Sequence, residues 1–474
     1  MTDTSPSSAA SAPLHDLSAL PWWRPLLVQA VGLDEEADPT LAAFGRQLLT
    51  AFEEQGHTVV QHSHGDIDLL LVATRIPDGP EPLRDRLPEQ MPPLAVTACQ
   101  EHGLRVGSRQ VVLLAEIPER LSPLPHAEVV ETARTAMARA AAPKVLFVTR
   151  GECPGQVEEV TFCTMEGGHP TETAPQAADR MRDRLVAAAC ARNISDSYQT
   201  VPNAVPARVW DASPAPAQLA RAGRTMGELG LLPPPTDISR YVSAELARLY
   251  EQYMGWKRLS EGMLFLVDPD LDALVVSASG SWDVDKRNLN PDDVTIVALD
   301  PPHSPLRVLA PEGRRPLGPS VEAWEVRAFL HAAPKVRVTR TTSGAWAPHP
   351  DGEREVPLIR AGIHAHVGVE RTDHAHIETV PPNRESYPYG FGCGSDLTAD
   401  VAADTVRRSR AVHDPDDPRH YVRWPMLYHG EMAVELWKPA LPAEPLSGLL
   451  DVFATSVGFR TDHIEQPVSP CPPH

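Results

Sequence analysis

The side chains best suited to chemistry in this chain are histidines set at strand spacing. His364 and His366 stand in the segment GIHAHVGVE, which begins at Gly362 and follows the apolar-basic stretch VPLIRA. A strand sends residues i and i+2 to one face, so the two imidazoles are expected to point together, with Ala365 on the other face. Two imidazoles placed so can share one divalent ion, since a histidine nitrogen ligates zinc at about 2.0–2.1 Å. By itself this spacing is better accounted for by two half-exposed strand histidines. Three further features change that balance. His429-Gly430 follows the bulky run WPML, where a strand should end. Pro319-Ser320-Val321-Glu322 opens an amphipathic helix expected over Val321–Ala332, and the Pro and Ser start signals put Glu322 in its first turn. The stretch SASGSWDVDKRNLNPDDVTIVALD, from Ser277, reads as strand, Gly turn, acidic loop, strand.

Competing sites are weaker. His374 and His376 repeat the HxH spacing but lack a preceding apolar strand. His331, beside Phe329 and Leu330, reads as a packed or capping histidine. The run Asp414–Asp417 reads as a solvated loop, and His57, His62 and His64 as a solvated strand end. There is no GxGxxG and no GxxxxGK[ST], so neither nucleotide-binding loop is supported, and Gly151-Glu-Cys-Pro-Gly155 reads as a turn. The six cysteines form no CxxC pair and are expected to be free thiols in a reducing cytoplasm.

These residues need a scaffold, and the chain is long enough for more than one. With 474 residues it exceeds the ~100–200 of a single domain. Hydrophobic residues make up 42% and charged ones 22%, an ordinary globular composition. Lys and Arg number 43 against 63 Asp and Glu, a net charge of −20, which argues against nucleic acid or anionic lipid as a partner. No run approaches a membrane span, and MTDTSPSSAASAP lacks the basic-then-apolar pattern of a signal peptide. A cytoplasmic protein is the expectation. Residues 1–21 read as a disordered lead-in. Residues 22–200 alternate buried strands (IDLLLVATRI, VVLLAEI, KVLFVTRG) with helices (Thr40–Glu54, Ala127–Ala142), an α/β layer domain of unassigned role. Residues 201–236, rich in Pro and Ala, read as a linker. A second domain is expected over 237–474.

Taken in order, the motifs of this second half resemble those of the class II aldolase/adducin superfamily over about residues 230–435. They are ELARLYEQYMGW, EGMLFLVD, SASG, NPDDVTIVALD, PSVE, HAH, YPYGFGCGSDLTADVAADTV and YHG. The resemblance implies a C-terminal α/β/α domain. It implies His364, His366 and His429 as ligands of a divalent ion, zinc first, with manganese, iron or cobalt as alternatives. Glu322 would be a fourth ligand or the general base, and Ser277, Ser279 and Gly280 would form a substrate-binding turn. It further implies a lyase of the aldolase type, acting on a small hydroxy-carbonyl compound through a metal-stabilised enediolate. Epimerase, dehydratase, decarboxylase and a non-catalytic adducin-like scaffold are the alternatives, and a homo-oligomer, by analogy a tetramer, is the expected assembly. Two departures stand out. Gly262-Met263-Leu264-Phe265 replaces the family's Gly-Asn-x-Ser, which favours a carboxylate or unphosphorylated substrate. An insertion that includes residues 341–355 is expected to form a hairpin or loop beside the site.

Overall fold

The computed structural model describes residues 23–460 other than 35, 37, 62–66, 88–109, 125, 141, 143, 165–166, 169–170, 174–176, 191–197, 233–234, 246, 249–257, 260–261, 280–283, 303, 366–367, 370–374, 382–395, 426–429, 440 and 455–458. The chain is mixed α/β. In its first part, five parallel strands lie in the order β2-β1-β3-β4-β5: β1 (Leu27–Val31), β2 (Thr58–Val60), β3 (Leu69–Arg75), β4 (Gln110–Ile117) and β5 (Lys144–Arg150). β6 (Val157–Thr164) returns antiparallel to β5 and carries the short strands β7 (Gly167–Gly168) and β8 (Glu172–Thr173). Gly151 to Gly155 is the connecting turn, closed by the Gly151 amide on the Gln156 carbonyl at 2.8 Å. The central strands are apolar throughout because both faces are covered. Leu70, Leu113 and Phe147 pack with Ala133 and Met137 of one helix (His126–Ala140). Leu71, Leu114 and Leu146 pack with Phe44 and Leu48 of α1 (Pro39–Glu54) and with Met181 and Leu185 of the helix Ala177–Cys190. α1 starts one residue before the expected Thr40: Asp38 Oδ1 accepts from the Leu41 amide at 2.9 Å, and Pro39 occupies the first turn.

The second part builds a nine-stranded sheet from β9 (Tyr198–Val205) and eight later strands. The two-residue strands β10 (Thr236–Asp237) and β11 (Arg258–Leu259) pair with each other. There follow β12 (Met263–Asp268), β13 (Ala273–Ser277), β14 (Val294–Ala298), β15 (Leu306–Pro311), β16 (Lys335–Arg340), β17 (Trp346–Pro348), β18 (Arg354–Pro357), β19 (Ile359–Ala365), β20 (Gly368–Val369), β21 (Ile377–Thr379), β22 (Tyr421–Pro425), β23 (Glu431–Leu436) and β24 (Phe459–Arg460). The sheet order is β21-β22-β23-β19-β12-β13-β14-β15-β9. Side chains of β12 alternate between two cores. Leu264 and Leu266 meet α2 (Ala215–Glu228) and α3 (Ser447–Ala454) through Leu219, Met226, Leu449 and Phe453. Met263, Phe265 and Val267 share the opposite core with Val326 and Phe329 of α4 (Ala323–Ala332) and Val406 of α5 (Asp396–Arg408).

Four expectations differ from the structure. The segment 201–236 is not a bare linker: β9 pairs parallel with β15, and the helices Ala207–Ala212 and Ala215–Glu228 follow. Pro206 and Pro214 stand at helix N-caps, and Pro202 lies within an edge strand that needs no inward amide. α4 is not amphipathic, since every residue from Ala323 to Leu330 is buried between the sheet and α5. The insertion is a three-stranded sheet, β17-β16-β18, and it is not beside the candidate site. Arg340 and Trp346 Nε1 both bond Asp270 at the β12–β13 turn. That turn lies at the far end of β12 from Met263, the partner of His364, so on the order of 15 Å separates them at ~3.3 Å per residue. Asp417 is not a solvated acid: it is buried, accepts from Arg419 Nε at 2.8 Å, and its carbonyl receives Lys438 Nζ at 2.6 Å. Among the described residues no helix is long and apolar enough to cross a membrane.

His57 is a further change of reading: only 4% of it is exposed, and its Nδ1 accepts from the Leu26 amide at 3.1 Å. Burial, helped by the Arg182 charge and opposed by Asp68, pulls its pKa down from 6.5 to about 4. The unfolded chain therefore binds the extra proton first as pH falls. Stability from this ring is complete above pH 6.5 and is lost as pH drops toward 4. Urea unfolding at pH 7 and pH 4.5 is expected to show a loss of on the order of 1–2 kcal/mol from His57, missing from His57→Gln. An equal loss in that variant would contradict the assignment.

Candidate functional site

β19 runs through the middle of the second sheet, hydrogen-bonded to β12 on one side and β23 on the other. It can lie so close because Gly362 has no side chain. A Cβ there would stand 2.5 Å from the Phe265 ring and 2.7 Å from the Ala433 carbonyl. His364, opposite Met263 and Met432, is wholly buried. Its Nδ1 lies 3.0 Å from the Glu431 carbonyl oxygen. A carbonyl only accepts, so Nδ1 carries the proton and, in the neutral ring, Nε2 carries the lone pair.

Glu322 reaches the same place from another element. It is the N-cap residue of α4 and is 3% exposed. The segment before it is stitched to the end of β13. The Ser320 amide donates to the Ser277 carbonyl at 3.1 Å, the Ser279 amide to the Gly318 carbonyl at 2.9 Å, and Ala278 bridges Pro319. This zipper sets where the carboxylate emerges. Glu322 Oε1 stands 3.9 Å from His364 Nε2. That exceeds hydrogen-bond range. Bonds of about 2.0–2.2 Å at a tetrahedral angle put two donors of one ion roughly 3.3 to 3.6 Å apart, so the pair stands a few tenths of an ångström wider than a shared tetrahedral ion would hold it.

Of the other sequence candidates, Gly280, His366 and His429 lie outside the described residues, as does His374. The backbone next to the two histidines is described: Ala365, just before His366, pairs with Glu431, two residues after His429. Among the described residues, no group of three His, Cys, Asp or Glu side chains could hold a metal ion. Ser277 is fully buried and its hydroxyl accepts from the Leu264 amide at 3.2 Å. Elsewhere, Asp285 caps a short 3-10 turn through the Arg287 amide. His331 contacts the Asp300 carbonyl at 2.7 Å, and His376 stacks on His420 with ring centroids 5.4 Å apart.

Two buried ionic groups near this pair escaped the sequence. Lys286 is 2% exposed; its ammonium donates to the Gly262 carbonyl and, at 3.2 Å, to Ser320 Oγ. Ser320 Oγ donates in turn to Glu322 Oε2. Glu431, whose carbonyl holds His364, has its carboxylate on Arg423 Nη1 at 2.8 and 3.0 Å. Glu431 had a signal, an acid opening the apolar strand EMAVEL directly after His429-Gly430. Lys286 had little more than its rarity, being one of five lysines, and it sits in an acidic stretch that reads as surface.

No protein-family model matches the chain, and no curated protein matches it. Gly262 links the parts of the site, because its carbonyl holds Lys286 and its Cα abuts His364. It has φ +81°, and an added Cβ would sit 2.8 Å from the His364 carbonyl and 2.5 Å from Leu232. Gly262→Ala is expected to cost about 2–4 kcal/mol, combining left-handed strain with overpacking, read as a lower urea midpoint. An unchanged midpoint would contradict the close approach.

Proposed function

We propose that this chain is a metal-dependent lyase of the aldolase type, with His364, His366 and His429 holding a divalent ion and Glu322 beside it. What supports the reading is the buried pair itself: an imidazole with its Nδ1 fixed on the Glu431 carbonyl, facing a carboxylate at 3.9 Å. A backbone acceptor behind a ligating histidine is the usual means of orienting it. The pairing of Ala365 with Glu431 adds to this, since it brings the chain on either side of His366 and His429 to one end of the sheet. The imidazole-rich set fits zinc first, with manganese, iron or cobalt as alternatives.

A divalent ion bound there would supply Lewis acidity toward a hydroxy-carbonyl substrate, lowering the cost of negative charge developing on its oxygens. The chain's own residues do the rest. The Glu431 carbonyl keeps the proton of His364 on Nδ1 and so keeps Nε2 directed at the site. The Ser277–Ser279 and Gly318–Ser320 zipper fixes the start of α4. Glu322, enclosed by protein, is placed to accept a proton from a substrate hydroxyl and return it to carbon. Cleavage of a carbon–carbon bond, epimerisation, dehydration and decarboxylation all draw on this one arrangement. With Gly262-Met263-Leu264-Phe265 in place of the family's Gly-Asn-x-Ser, a carboxylate or unphosphorylated substrate is the better fit. A homo-oligomer in the cytoplasm is the setting we propose.

Metal analysis of the purified protein tests the reading. About one divalent ion per chain is expected, lost in the His364→Ala/His366→Ala double variant, whereas no metal in either would overturn it. Once a substrate is found by screening hydroxy-carbonyl compounds, Glu322→Gln is expected to lower kcat by roughly 10²- to 10⁴-fold. A variant within a few-fold of wild type would remove Glu322 from the chemistry.

A further inference from the structure

We infer that Lys286, acting through Ser320, is a positioning residue that aims the Glu322 carboxylate at His364. A buried lysine ammonium is expensive unless its donors are used. Here the Gly262 carbonyl anchors it, and a second proton points at Ser320 Oγ, 3.2 Å away. That contact decides what the serine does. With its oxygen accepting from an ammonium, its single proton is directed to the other neighbour, Glu322 Oε2. Ser320 thus holds Oε2, while Oε1 stands 3.9 Å from His364 Nε2. A line of polar groups therefore runs from Lys286 through Ser320 and Glu322 to His364 and the Glu431 carbonyl. Every residue that puts a side chain into it is at most 3% exposed.

The backbone of Lys286 is fixed as firmly as its ammonium. α2 crosses it at Gly223, where a Cβ would fall 2.2 Å from the Lys286 carbonyl. Val284 and Leu289, on either side in the sequence, are buried in the same core as α2. The lysine is therefore delivered from outside the proposed ligand set, on a segment that the helix pins. Its charge has two opposed effects on a bound cation. It repels the ion, but across Ser320 and a carboxylate of opposite sign. It also orders the carboxylate directly, and the ordering acts on the ligand itself. We take the second effect as the larger, because partners of metal ligands commonly govern affinity by about 10- to 100-fold.

The inference rests on the metal-centre reading, and its test separates the two. Zinc affinity is measured by chelator competition on the full chain for wild type, Ser320→Ala, Lys286→Met and the double variant. Ser320→Ala cuts the line while leaving Lys286 on the Gly262 carbonyl, so it serves even where Lys286→Met fails to fold. Each single variant is expected to weaken zinc binding by about 10- to 100-fold, with the double no worse than the weaker single, since both remove one unit. Wild-type affinity in Ser320→Ala, or losses that multiply in the double, would overturn the positioning role. Should wild type bind no zinc, the metal-centre reading fails, and crystal structures decide the positioning separately. A Glu322 carboxylate turned away from His364 in Ser320→Ala supports it, and an unmoved one overturns it.

Discussion

The arrangement depends on one hydrogen bond in the middle of a sheet: His364 Nδ1 on the Glu431 carbonyl. A fully buried imidazole must have its protonated nitrogen satisfied, and the adjacent strand does that here. Once β23 provides the carbonyl, the direction of the other nitrogen is no longer adjustable. β19 has to lie close against both β12 and β23 for this to work. Gly362 makes that possible on one side, and Gly262 keeps the start of β12 clear of the His364 backbone.

The second constraint comes from the opposite side. Glu322 is the N-cap of a helix whose residues Ala323 to Leu330 are all buried, so its position is set by packing rather than by solvent. Phe329 at the core of that helix touches Phe265 on β12 and Trp424 on β22, with ring centroids 5.7 and 5.5 Å apart. Such aromatic contacts fix helix to sheet with little play. The carboxylate and the imidazole thus arrive from elements locked to one core, which is what a preorganised site requires.

Much of this was legible from residue order. IDLLLVATRI, VVLLAEI and KVLFVTRG announce strands buried on both faces, and the structure makes them the parallel centre of the first sheet. Pro319-Ser320 announces a helix start, which the structure places at Ala323, two residues later than expected. The HxH spacing, the strand end before His429 and the acid at Glu322 were readable as a candidate constellation, and for His364 and Glu322 the fold brings the two together. What escaped was decided by tertiary partners. Pro202, Pro206 and Pro214 look like linker punctuation until an edge strand and two helix starts use them. Asp417 looks solvated until Arg419 and Lys438 close on it. Lys286 lies in a run of charges, and only the crossing of α2 shows that its side chain turns inward.

The most direct measurement is a crystal structure grown with zinc, with anomalous data collected at the zinc edge. The predicted result is a single peak between His364 Nε2 and Glu322, about 2.0–2.2 Å from its ligand atoms, with the His366 and His429 rings completing its coordination. A map with no peak there, and with the His366 and His429 rings directed away from His364, would contradict the convergence on which the proposed chemistry rests.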